Sequence, residues 1–348
     1  MGRRDKSYSR DLKQQIYDKL TGMLKAGEGT SKREAIENGT EREKIFSYNT
    51  YDTYRKHCNY FATYIREHHP ECTTLKSARK YVNEWLQSRV DQTDKNGKHL
   101  SAWTIQTEAK ALGKLYGIQP DDPNYFQAPQ RHREDIVRSR GDAVRDRHFS
   151  EKNNDEFIKF CKGTGCRRNI MEKLEGRDLI TREQIDREIS TLKAKETLSP
   201  AEQKHLGVLE DGIKNFPDQD YFLHHRNDKG GRERYSPIIG DHKEQIVERM
   251  RVTAPDEKVW KHVPGNADIH GYRGEYATSI YKMYARPIEE IPYDRVNKGT
   301  GKRFQSGVYT CRKDEKGKKL DKDAMLVASK ALGHNRLEVV ANNYIRGL

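Results

Sequence analysis

Residues 117–141, GIQPDDPNYFQAPQRHREDIVRSRG, hold three prolines and clustered charges with no apolar period. Proline removes a backbone donor and is excluded from helix interiors and central strands, so no continuous element crosses this stretch. It reads as an interdomain linker, with a boundary at 130–145 and a core to be built on each side of it. The chain has 348 residues, enough for two such cores. Hydrophobic residues make up 33% and charged residues 34% of the chain, so those cores are small beside a heavily charged surface.

On the amino-terminal side, Tyr51, Tyr54, Cys58, Phe61 and Ile65 recur at steps of three and four, the signature of one helix face. Leu75, Ala78, Val82, Trp85 and Leu86 form a second stripe, and Ile105, Ala109, Leu112 and Tyr116 a third. Residues 45–130 are therefore expected to be all-helical. Residues 1–44 are polar and basic, and the glycines of KAGEGTSKREAIENGT interrupt any long helix, which predicts an extension or accessory module.

Beyond the linker, 145–348 reads as a helix-rich α+β domain. SEKNNDEFIKFCKGTG is helical, and DYFLHHRNDKGGRERYSPII predicts a hairpin around its Asn-Asp-Lys-Gly-Gly turn. A charged helical pair fills 180–215, and YTCRKDEKGKKLDKDA suggests a second hairpin near 307–322 within an insertion at 285–325.

Sixty-six Lys+Arg against 53 Asp+Glu give a net charge of +13, which suits a continuously anionic partner: nucleic acid first, an anionic membrane surface second. No run of 18 apolar residues occurs, and MGRRDKSYSRDLK lacks the apolar stretch of a signal peptide, so a cytoplasmic protein that does not span a membrane is expected. The five cysteines, Cys58, Cys72, Cys161, Cys166 and Cys311, never form C-x-x-C, and the His68/His69 and His224/His225 pairs lack metal-ligand spacing. Reduced thiols, no metal and no cofactor follow.

Four short motifs carry chemistry. In TGCRRNIMEKLEG, helical spacing puts Arg167 on one stripe with Ile170, Met171 and Leu174, where a guanidinium requires either a buried carboxylate or a bound phosphate. IHGYRGEYATSIY places His270 and Arg273 at i, i+3, either converging on one site or solvated. Lys229 stands at the tip of the expected hairpin, a solvated position unless it reaches into a groove. In the closing LGHNRLEVVANNYIRGL, Leu337, Val340, Ala341 and Tyr344 share a face, so periodicity alone makes Tyr344 a core residue.

Taken in order, T-G-x-R, a basic hairpin, H-x-x-R, L-G-H and a terminal Tyr over residues 164–346 resemble the tyrosine recombinase, or phage-type integrase, family. The resemblance implies an all-α core-binding domain followed by a helix-rich α+β catalytic domain, and a catalytic set of Arg167, Lys229, His270, Arg273, His334 and Tyr344. It implies cleavage and rejoining of double-stranded DNA through a 3′-phosphotyrosyl link, with integration or excision of a mobile element as the outcome. A homo-tetramer on two duplexes, accessory DNA-bending or directionality proteins and association with the nucleoid are implied too. The sequence departs from the family pattern where Ile170 replaces an acidic residue three positions after Arg167 and Gly274 replaces a second His. Tyr344 stands ten positions after His334, one more than is commonest in the family, and His334 stands 64 positions after His270. Alternatives are an impaired DNA-binding protein of the same fold, a type IB topoisomerase and, weakest, a metal-dependent nuclease.

Overall fold

The structure is a computed structural model that describes residues 11–132, 149–228, 232–312, 315–334, 336–345 and 348. It divides into two compact units, Met1–Asp135 and Ile136–Leu348. The chain is helix-rich with a few small sheets. Among the described residues no helix is long and apolar enough to cross a membrane.

The first unit is built from α1 (Leu12–Gly27), α2 (Lys32–Glu37), α3 (Tyr48–His68), α4 (Leu75–Ala78), α5 (Val82–Asp91) and α6 (Ala102–Tyr116). Ser47 caps α3 by accepting from Thr50 N–H, and the helix buries Tyr51, Cys58, Phe61, Ala62 and Ile65, close to the face that the periodicity marks. The second apolar stripe is broken: α4 and α5 are separated by a 3-10 turn at Arg79–Tyr81, which redirects the chain while keeping Ala78, Val82, Trp85 and Leu86 inside. The core also holds a charge. Glu108 is fully buried on α6 and accepts from Arg89 Nη2 at 2.9 Å, with His57 Nδ1 3.3 Å away. Burial pushes its carboxyl up, but His57 and Arg89 outweigh that and hold it below the usual range.

Two sequence readings change here. Residues 11–44 do not form an appendage, because α1 buries Ile16 and Leu20 in the same core as α3, and Thr21 Oγ1 lies 3.0 Å from the Tyr51 hydroxyl. At the end of α1 the chain returns so closely that a Cβ on Gly27 would lie 2.2 Å from the Ile45 carbonyl oxygen. That glycine marks close packing between segments where the sequence suggested an interruption. The first half of the proline-rich stretch is also no free linker. Tyr125 and Phe126 pack on the first core, and Gln106 Nε2 donates to the Pro129 carbonyl at 2.9 Å. Apolar residues without a period gave no sign of this, since a loop can bury side chains singly.

The second unit begins with α7 (Asp155–Thr164) and α8 (Arg168–Met171). Strand β1 (Leu179–Thr181) leads into the helical pair α9 (Arg182–Lys193) and α10 (Pro200–Lys214), and then into the hairpin β2 (Tyr221–Asp228) and β3 (Arg232–Pro237). These three strands form one antiparallel sheet in the order β1-β2-β3. After α11 (Lys243–Val252), α12 (Ile269–Tyr284) runs through the middle of the unit, burying Tyr272, Arg273, Tyr276, Ala277, Ile280 and Tyr281 around its circumference. Two ribbons follow, β4 (Arg295–Val296) with β5 (Arg303–Phe304) and β6 (Val308–Thr310) with β7 (Lys319–Asp321). Helices α13 (Lys322–Ala331) and α14 (Leu337–Asn343) close the unit. All five cysteines are buried, and none is in a disulfide.

If α1 belongs to the first core, Ile16→Ala removes a fully buried side chain and costs about 2–4 kcal/mol, the usual range for such truncations. Urea unfolding of the full chain followed by circular dichroism reads this loss; an unchanged midpoint would return α1 to the status of an appendage.

Candidate active site

Helix α7 ends at Gly165, whose φ of +59° is the left-handed cap that glycine adopts without penalty. A Cβ there would sit 2.2 Å from the Tyr276 ring, so the T-G-C-R turn needs glycine twice over, for its angle and for the approach of α12. Two residues on, Arg167 precedes α8 as its N-cap, with extended backbone. Arg167 is thus not on the helical stripe; Ile170, Met171 and Leu174 are buried without it. Its side chain turns away to donate from Nη1 to both Asp228 oxygens at 2.5 Å.

Asp228 supplies the carboxylate that Ile170 cannot. It sits at the end of β2, where the register slips between His225 and Asp228. Alternation along a regular strand would turn residue 228 to the face opposite His225, but both are buried, at 1% and 4% exposure. The bulge re-aims Asp228 inward. There it also accepts from Arg234 Nε at 3.0 Å, so one carboxylate holds two arginines. Losing one partner of such a buried group generally costs about 3–5 kcal/mol.

The Leu-Gly-His turn closes α13 with a Schellman motif, His334 N–H donating to Ser329 O and Gly333 N–H to Lys330 O, both at 2.8 Å. Gly333 has a φ of +68°, and a Cβ on it would lie 2.7 Å from Arg234 Nε. The carbonyls at this helix end have no intrahelical donors. Arginines take them instead: Arg234 Nη1 donates to Ala331 O at 2.7 Å, and Arg273 Nη2 donates to Leu332 O. Arg273 Nη1 donates to Gly165 O, so a single guanidinium joins α12 to the ends of α7 and α13. Its Nε is buried and has no hydrogen-bond partner among the described residues. Burial, together with the like charges of Arg167 and Arg234, lowers the Arg273 pKa to about 10, which still leaves it a cation at neutral pH.

Tyr344 is the last residue of this arrangement, capping α14 and buried as a residue at 6% exposure. Its hydroxyl lies 3.3 Å from His334 Nε2, which is also 3.5 Å from Arg167 Nη2. Since a guanidinium only donates, Nε2 faces it with its lone pair, and the phenol O–H donates to the same nitrogen. The Arg273 guanidinium stands 5.5 Å from the Tyr344 ring centroid, and the His270 ring centroid is 5.2 Å from it. His270 is exposed. At Gly274 a Cβ would come 3.4 Å from the Tyr344 carbonyl oxygen, an ordinary contact, so α12 and the end of α14 lie side by side there.

Arg167, His270, Arg273, His334 and Tyr344, drawn from four separate segments, thus meet in one place. Lys229 lies outside the described residues. Asp228 and Arg234 are the members that sequence reasoning missed. Arg167 and Arg234 share the Asp228 carboxylate and Arg273 stands close enough to feel both their charges, a surplus of two positive charges over that carboxylate in a largely buried site. The histidines beside them are kept neutral: burial and then the arginines push His334 down to about 4, and burial lowers His225 well below the usual value. His225 accepts from Arg234 at Nδ1, 3.4 Å away, which leaves Nε2–H to donate to Ser236 Oγ at 2.7 Å. The pair His224 and Glu233, 2.7 Å apart, is bound into the sheet's outer edge with His205.

No protein-family model matches the chain, and a comparison with curated proteins finds no match.

The neutral histidine has a consequence for stability. In the unfolded chain His334 takes up a proton as pH falls through about 6.5, whereas in the folded chain it does so only near 4. Its contribution is therefore complete above pH 6.5 and is lost between 6.5 and 4. Thermal midpoints at pH 7 and pH 5 should fall further apart in the native chain than in His334→Gln; equal differences would show that His334 is not held neutral.

Proposed function

We propose that this chain is a tyrosine-type site-specific DNA recombinase, an all-α core-binding domain followed by a helix-rich α+β catalytic domain. On this reading it cuts and rejoins DNA strands through a 3′-phosphotyrosyl intermediate, in the service of a mobile element. The observation that carries the reading is the buried surplus of two positive charges beside a tyrosine hydroxyl, with Arg273 Nε unpaired. A phosphodiester carries one negative charge and its five-coordinate transition state two, so a site of this charge favours the transition state over the ground state.

The steps follow from the residues. Tyr344 Oη attacks the phosphorus, the bond to the 5′-oxygen breaks, and the phosphate stays on the tyrosine while a 5′-hydroxyl departs. A free tyrosine has a pKa of about 10, so the proton must be removed as the bond forms. His270, exposed at the rim, is the base, able to pass that proton to solvent. Arg167 and Arg273 hold the nonbridging oxygens, and an incoming phosphate replaces the phenol as the partner of His334. Anionic charge beside the imidazole would raise its pKa from about 4 toward protonation, turning an acceptor into a donor. Lys229, next in sequence to the clamped Asp228, is the general acid that protonates the leaving 5′-oxygen. No ATP is required, because the phosphotyrosyl bond conserves the energy of the bond it replaces.

A clamp of double-stranded DNA by both domains and a tetramer on two duplexes belong to the same proposal, with the net charge of +13 supplying phosphate contacts. A nicked suicide duplex, which cannot be religated, should accumulate a covalent adduct visible on a denaturing gel. Tyr344→Phe should bind the duplex as the native chain does and form none. Arg273→Ala should slow adduct formation by about 10²–10³, the usual effect of removing a transition-state donor, with little change in binding. Duplex binding with no adduct from the native chain would favour the impaired DNA-binding protein instead.

A further inference from the structure

The insertion after α12 contains a ribbon that contributes no buried side chain among the described residues. Every residue from Pro292 to Phe304 is exposed, yet the segment is ordered by its own hydrogen bonds. At the tip, Asn297 N–H donates to Lys302 O and Gly301 N–H to Asn297 O, both at 2.8 Å, while the Asn297 side chain accepts from Gly299 N–H at 3.0 Å. At the base, Gln305 Nε2 donates to Ile291 O at 2.6 Å, and Ile291 itself is buried. An isolated two-stranded ribbon is marginally stable in water, so this one is held by its turn and its stem.

Its two faces are alike. Arg295 pairs across the ribbon with Phe304, and Val296 with Arg303. Cross-strand partners share a face, so each face presents one arginine beside one apolar side chain. A ribbon that covers a core has one dry face and one wet one. Lys298 and Lys302 add two cations at the turn. None of the four cations forms an ion pair among the described residues, whereas Arg286, at the start of the insertion, is held by Asp321 at 2.8 Å and by Asp323 at 2.6 Å.

We infer that the β4–β5 ribbon is a DNA-binding element that enters a groove of the duplex, its arginines and lysines meeting the phosphates of both walls. A two-stranded ribbon fits the major groove, about 12 Å wide and 8.5 Å deep. The strand rise of about 3.3 Å per residue carries the chain roughly 7 Å from Arg295 to Asn297, and the turn that follows carries Lys298 beyond that, toward the groove floor. The inference rests on the reading of the chain as a DNA recombinase and adds to it a DNA contact by residues outside the proposed catalytic set.

The test is the salt dependence of duplex binding by the full chain, measured by fluorescence anisotropy from 50 to 300 mM KCl. Lys298→Gln/Lys302→Gln/Arg303→Gln should lower the slope of log affinity against log salt by about 2–3, close to 0.9 per lost phosphate contact. Lys298→Arg/Lys302→Arg, which keeps the charges, should retain the native slope. All of these positions are exposed, so thermal midpoints should match the native chain. A triple variant that keeps the native slope overturns the inference while leaving the recombinase reading in place, and a native chain that binds no duplex overturns both. If the triple variant instead loses self-association in sedimentation, or loses binding to vesicles of anionic lipid, with its DNA slope intact, the ribbon serves a second copy or a membrane and the inference fails.

Discussion

One carboxylate organises the second unit. Asp228 is turned inward by a bulge in β2 and accepts from Arg167 on one side and Arg234 on the other. Arg234 then reaches the last carbonyl of α13, and the turn that follows brings His334 against the Tyr344 hydroxyl. Without that carboxylate, Arg167 and Arg234 would stand side by side as unopposed charges in a site with little water to screen them. The other shared anchor is Arg273, which links the ends of α7 and α13 from α12 through two carbonyls. Between them these groups tie together residues far apart in the chain.

The same bonds set the chemistry. Each arginine spends part of its donor set on protein carbonyls or on Asp228, which fixes its plane, and the charge left over is what an anion would meet. Preorganisation of this kind costs folding stability, and on the proposed function a bound phosphate would offset that cost. His334 is kept neutral in the resting site by burial and by those cations, so its protonation state is itself coupled to whether an anion is present.

Much of this was legible in the sequence, for reasons that can be named. The α3 stripe, the two pairing strands of the β2–β3 hairpin and the spacing of His270 and Arg273 are local patterns, and local patterns survive in sequence. Glycines 165 and 333 stand where left-handed caps are needed, and each is pressed by a side chain from elsewhere, Tyr276 in one case and Arg234 in the other. What could not be read were the long-range partners. Asp228 lies 61 residues from Arg167, and a buried charge in a strand alternates just as a solvated one does. Arg167 itself looked helical because its neighbours are, although it stops one residue short of α8. Helix α1 was hidden by its polarity: Ile16 and Leu20 are few but fully buried.

The central claim is that the assembled cations serve Tyr344 as a nucleophile toward DNA phosphate. Peptide mass spectrometry after incubation with a nicked duplex tests it most directly. The tryptic peptide spanning 337–346 should carry the mass of a nucleotide joined through its 3′-phosphate, with the modification on Tyr344. A duplex that is bound and cut while that peptide stays unmodified, or that becomes joined to another residue, would contradict the account.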